Sequence, residues 1–149
     1  MTGVQTCALP ILLTGHTATR IQVWYTMLTS TGSWALRGYG MWACETIDGG
    51  RFIGSVGIFE PLDWPEPEIA YSLDQRFWHQ GFATEAAAAR DWLFGHVPLT
   101  RAASFIRPAN QASIRVAERL GAVLEGTTEL RGVTFQHWVH HRAGHASTA

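Results

Sequence analysis

Apolar positions recur along this chain in two periods, and the switches between them mark the elements. Ile21, Trp24, Tyr25 and Leu28 fall on one face at helical spacing, which predicts a helix over Thr17–Ser30 that Gly32 ends, followed by a loop through Trp34 and Gly38. Tyr39–Ile47 reads as a strand. Asp48-Gly49-Gly50 reads as a hairpin turn, and Arg51–Glu60 as the returning strand, with Phe52, Val56 and Ile58 alternating against small or polar residues. Pro61, Pro65 and Pro67 lack the N–H a ladder needs, so 61–67 is a loop.

A third strand, Glu68–Asp74, then leads into Trp78-His79-Gln80-Gly81-Phe82-Ala83-Thr84, and a helix over Ala83–Phe94 leaves that turn with Phe82, Ala86, Ala89 and Leu93 on one face. Strand, glycine turn and helix N-terminus in succession aim several backbone N–H groups at one spot, with the positive end of the helix dipole behind them. That geometry suits a phosphate, although many strand-to-helix turns contain a glycine and bind nothing. Arg101–Arg107 follows as a strand broken by Pro108-Ala109. Asn110 caps a short helix carrying Ile114, Ala117 and Leu120, with Gly121 at its end. Val123–Thr128 and Val133–His141 form a last hairpin around Leu130-Arg131-Gly132, and 143–149 is a flexible polar tail. Mixed strands around two packed helices predict a single α+β domain.

The chain has 149 residues, 46% apolar and 15% charged, which excludes a disordered chain and suits one domain with a core. A formal net charge of −1 gives no general attraction to nucleic acid or an anionic membrane. Cys7 and Cys44 are too few for a disulfide framework, which suits a cytoplasmic setting. No apolar run approaches the ~20 residues of a membrane span. His137, His140, His141 and His145 look like a metal cluster until strand alternation is applied. It sets His140 on the face opposite His137 and His141, so no metal is expected.

Residues 1–11 have no periodicity and resemble the conceptual translation of a sequencing-adapter oligonucleotide. They are expected to be a non-native leader, the alternative being an ordinary loose N-terminus, which leaves a domain over 12–142.

Three segments in register resemble the GNAT superfamily of acyl-CoA-dependent N-acetyltransferases, in its RimJ/RimL-like branch. They are Glu68–Leu73 with Trp78–Ala86, then Asn110–Gly121, then Leu124–Gly126 with Leu130–Val133 and the terminal strand. The resemblance implies a mixed, mostly antiparallel sheet flanked by helices. It also implies acetyl transfer from acetyl-CoA to a primary amine, either a protein N-terminus or a small molecule, by direct attack in a ternary complex. Relatives leave room for a homodimer. Two departures stand out: Trp78 occupies a position often held by Arg or Gln, and the family's first strand and first helix are expected to be missing. Loss of that helix would remove a wall of the acceptor site, so the alternative is a module that binds acyl-CoA without turnover.

An amine attacking a thioester needs the donor held, the ammonium deprotonated, the oxyanion stabilised and the thiolate protonated. The resemblance implies that the N–H groups of Gln80, Gly81, Phe82, Ala83 and Thr84 hold the pyrophosphate. Deprotonating an alkylammonium at pH 7 costs about 4 kcal/mol, and Glu68, at the start of the third strand, is the candidate general base, acting through water. Its alternative is an exposed carboxylate at a strand edge. Ser113 is the family-implied proton donor to the thiolate, with Tyr71 as rival. Asn110 would reach the pantetheine arm, or simply cap its helix. Backbone amides near Ser72 and Leu73 would face the oxyanion. Trp64, between prolines, is a candidate to touch the acceptor. Glu85 and Arg90 read as a solvated helix face.

Overall fold

The computed structural model describes residues 19–77 and 83–143. The leader at 1–11 and the turn at Gln80, Gly81 and Phe82 therefore lie outside the described residues.

Helix α1 spans Arg20–Arg37. Thr19 opens it with a reciprocal capping box: its Oγ accepts from the Gln22 N–H, and the Gln22 side chain accepts from the Thr19 N–H at 2.7 Å. Gly32 does not end the helix, because a side chain there would meet open space and a helical glycine costs only about 1 kcal/mol. The stop is Gly38, which takes the left-handed conformation (φ 75°) and returns its N–H to the Trp34 carbonyl. Trp34 thus belongs to the helix rather than to a loop. Its indole donates to the Met41 carbonyl at 3.1 Å and packs on Trp42 and Trp92, at 5.0 and 5.7 Å between ring centroids. No residue of α1 is buried, and Ile21, Trp24, Tyr25 and Met27 all stand mostly exposed.

The strands are β1 (Met41–Glu45), β2 (Phe52–Phe59), β3 (Glu68–Leu73), β4 (Arg101–Ile106), β5 (Val123–Leu130) and β6 (Val133–His141). They form one sheet in the order β1-β2-β3-β4-β6-β5, antiparallel except where β3 meets β4. This is the mixed, mostly antiparallel α+β arrangement expected. β1 is shorter than its hydrophobic pattern suggested: its register with β2 shifts at a bulge between Cys44 and Glu45, and Ile47 stands in solvent. The last hairpin is tighter: β5 continues to Leu130, and Arg131 (φ 51°) and Gly132 (φ 75°) alone make the turn.

Helices α2 (Ala83–His96) and α3 (Gln111–Arg119) cover one face of the sheet. Leu93 and Phe94 of α2 pack on Ile58, Ile69 and Ala102; Ile114 and Ala117 of α3 pack on Ile106, Ala122 and Trp138. Arg90 is not on a solvated face. Its guanidinium donates to the Leu120 carbonyl at 2.6 Å and so ties α2 to the end of α3. The side chain of Glu85 lies outside the described residues. The opposite face carries Phe105, Leu130 and Phe135 under the Pro61–Pro67 loop, whose Trp64 packs against them.

Candidate active site

The site is organised by a parting in the sheet. β3 and β4 are in register only at Glu68 and Ala103, and beyond that pair they separate. Three side chains span the gap: the Ser104 hydroxyl donates to the Ile69 carbonyl at 2.9 Å, the Glu68 carboxylate accepts from the Phe105 N–H at 3.3 Å, and the Tyr71 hydroxyl reaches α3, donating to the Ser113 carbonyl at 3.0 Å. The Asp74 N–H donates to Ile53 at 2.8 Å, so backbone alternation turns the Ser72 amide toward β2 as well. The amides of Tyr71 and Leu73 face the parting instead. The edge that was expected near Ser72 and Leu73 is therefore set by the odd-numbered residues.

Glu68 starts β3 on the face away from α2 and α3. It is 8% exposed, so neither an exposed edge carboxylate nor a freely solvated base describes it. Oε2 accepts from the Trp64 indole at 2.7 Å and Oε1 from the Phe105 N–H at 3.3 Å. Burial pushes its carboxyl up to about 7, against the pull of those two donors. A carboxyl raised toward neutrality is suited to a base, which must both hold its charge and take a proton well.

Tyr71 is three residues on and therefore on the opposite, helix-covered face. Burial raises its phenol to about 12, which keeps it protonated. Asn110 caps α3 by accepting the Ser113 N–H at 3.2 Å, while its Nδ2 donates to Ser113 Oγ at 2.9 Å. Ser113 Oγ is an acceptor in that contact and keeps its own O–H to give elsewhere. Asn110, Ser113 and Tyr71 are thus one hydrogen-bonded group on one side of β3, with Glu68 on the other. Ala83 and Thr84 open α2, where the first-turn amides have no partner within the helix. Gln80, Gly81 and Phe82 lie outside the described residues.

The sequence offered no sign that Trp64 reaches Glu68, or that the Phe105 amide joins it. Both contacts depend on how the proline loop folds back over β4. Nor did it point to the pairing of Ser104 with His140, buried together with Ser104 Oγ 3.0 Å from His140 Nε2. Burial lowers His140 to about 4, helped by the charges of Arg90 and His141, so the ring is neutral. A cavity of about 510 Å³ between β1, β2 and α2, lined by Trp42, Cys44, Val56, Ala89 and Trp92, contains none of the candidate residues. Among the described residues, no three His, Cys, Asp or Glu side chains gather as a metal site, and no helix is long and apolar enough to cross a membrane.

The sheet parts beside a buried carboxylate, and a helix N-terminus follows the parted strand. The acetyltransferase (GNAT) domain profile matches residues 8–123, and the chain belongs to that family. An uncharacterized protein, YkkB of Bacillus subtilis (strain 168), is 39% identical over 90 residues, covering 57% of this chain and 52% of YkkB. The chain thus spans about half the length of that curated relative. Among solved structures, an acetyltransferase from Agrobacterium tumefaciens str. C58 is 26% identical with a TM-score of 0.78, over 86% of this chain and 75% of that one. An aminoglycoside acetyltransferase in complex with coenzyme A is 19% identical with a TM-score of 0.69, over 87% and 80%. At that identity the second likeness shows the fold.

Proposed function

We propose that this chain transfers an acetyl group from acetyl-CoA to a primary amine, on a protein N-terminus or a small molecule, by direct attack, and that it belongs to the RimJ/RimL-like branch and works in the cytoplasm. The observation that carries this reading is the buried Glu68 carboxylate beside the point where β3 and β4 part. Family membership supplies the cosubstrate class, and the coenzyme A complex of the aminoglycoside enzyme supports it.

Acetyl-CoA, when bound, supplies the activated acyl group and a thiolate leaving group. The parting fits an extended arm, since β3 has no ladder to β4 beyond Glu68. The amides of Gln80 to Thr84 hold the pyrophosphate, and the edge of β3 at Leu73, next to Ser72, borders the thioester. Glu68 takes the ammonium proton through water, since so little of its side chain is exposed. Ser113 protonates the departing sulfur, its oxygen oriented by Asn110, while Tyr71 fixes the helix that carries it. Base and acid on opposite faces of β3 match a reaction in which one proton arrives as another leaves.

The test is acetyl-CoA consumption with spermidine, kanamycin and a peptide N-terminus as probe amines, beside calorimetry with CoA. Turnover that falls about 10²–10⁴-fold at pH 7 in Glu68→Gln, and less at pH 9, supports the reading. CoA binding without turnover of any probe would leave an acyl-CoA-binding module, and absence of binding would remove both.

A further inference from the structure

The proline loop does more than close over the sheet. Trp64 is fixed on every side: its ring stands edge-on to Phe59 at 5.4 Å and to Phe105 at 6.0 Å, and the Arg131 guanidinium lies over it at 5.0 Å. Arg131 also holds the neighbouring Asp63 through two bonds of 2.7 and 2.8 Å. At the other end of the loop, Glu66 takes two bonds from Arg101, at 2.9 and 3.0 Å, and lies 2.7 Å from His137 Nε2. Three prolines reduce what freedom remains. A loop pinned at both ends holds the Trp64 N–H at a single point, and at that point sits Glu68 Oε2.

We propose that Trp64 is a positioning residue: its indole N–H fixes which way the Glu68 carboxylate faces, and the pinned 61–67 loop sets that direction. This rests on the reading of Glu68 as the base. Each carboxylate oxygen receives one protein donor, Trp64 on Oε2 and the Phe105 amide on Oε1. A carboxylate has about four lone-pair sites, so roughly two remain, and the two donors dictate where those two point. Rotation of the carboxylate would break both bonds at once. The arrangement therefore delivers a basic lone pair in a set direction, rather than leaving a side chain free to turn.

The other ionisable groups around Glu68 are already engaged. Glu66, His137 and Arg101 form one network, with His137 stacked on the Phe105 ring at 5.1 Å. Arg131 pairs with Asp63. Arg37, Tyr39 and Glu60 close a network at the end of β2, and Tyr71 lies across β3. None of these reaches the carboxylate with a hydrogen bond, so Trp64 is the one side-chain donor that Glu68 has among the described residues.

The proposal is tested on the whole chain, without ligand, by NMR. In protein carrying ¹³C-carboxyl glutamate, the Glu68 signal, assigned by its loss in Glu68→Gln, should titrate near pH 7. Removing a donor to the charged form raises that midpoint, so Trp64→Phe should move it up by about half a unit or more. In the unsubstituted protein, the Trp64 indole proton should titrate with the Glu68 midpoint, and that step should vanish in Glu68→Gln; this reading holds even if Trp64→Phe fails to fold. An indole resonance indifferent to Glu68, or a folded Trp64→Phe with an unmoved midpoint, would overturn the proposal. In turnover of the probe amines, the acid limb of kcat/KM in Trp64→Phe should follow the same displacement. If instead Glu68→Gln keeps that acid limb, it is the base assignment that fails, while the NMR coupling reports on Trp64 independently.

Discussion

The Tyr71 hydroxyl donates to the Ser113 carbonyl across 3.0 Å and thereby ties β3 to the first turn of α3 over the parting of the sheet. Tyr71→Phe keeps the ring and removes this bond, so the fold should lose about 1 kcal/mol, read as a lower urea midpoint with unchanged m-value. If Tyr71 only anchors the helix, kcat should fall far less than in Ser113→Ala. A larger loss in Tyr71→Phe would make the tyrosine the proton donor.

Asn110 has two roles that substitution separates. Asn110→Ala removes the cap of α3 and should cost about 1 kcal/mol, measured by chemical unfolding. Asn110→Asp keeps the cap acceptor but cannot donate to Ser113 Oγ, so stability should be retained while turnover drops. Full activity in Asn110→Asp would show that the contact to Ser113 does nothing for the reaction.

Stability against pH should be flatter than two such buried groups suggest. Glu68 has a raised folded-state value, so its proton is bound more tightly in the folded chain and stability declines as pH rises from 4.5 to about 7. His140 has a lowered one, and stability declines in the other direction, as pH falls from 6.5 to about 4. The two slopes oppose each other over nearly the same interval. Glu68→Gln should remove one of them, leaving a protein that weakens with acid below pH 6.5 and no longer weakens as pH rises toward 7. Thermal midpoints at pH 5, 6.5 and 8 would reveal it. Equal midpoints shifts at all three would point to repacking rather than titration.

The turn through Gly81 is tested by Gly81→Pro, which deletes a donor and stiffens the backbone. Calorimetric CoA affinity should be lost while near-ultraviolet circular dichroism is preserved. Unchanged affinity would remove the pyrophosphate assignment.

Local rules made much of the scaffold legible. Asn110 and Gly121 bracket α3 because capping is decided by a few neighbouring residues, and Ala89 and Leu93 face the sheet because period 3.6 requires it. The length of α1 was hidden: Gly32 looks like a stop in isolation, yet the stop needs a left-handed residue, which is Gly38. Glu68 was legible as a residue but its environment was not. Its burial and both of its donors come from segments folded over it, with Phe105 brought 37 residues back along the chain. Arg90 was misjudged for the same reason, since the carbonyl it meets is 30 residues away.

The tryptophan trio Trp34, Trp42 and Trp92 has a use apart from packing. Trp42 and Trp92 lie 5.1 Å apart and Trp34 is close to both, so their electronic transitions couple. Because α1 reaches the trio chiefly through one indole, its detachment would leave a dimer of chromophores in place of a trimer. The protein therefore carries an intrinsic optical gauge for whether its first helix is seated, readable without any label while the sheet stays intact.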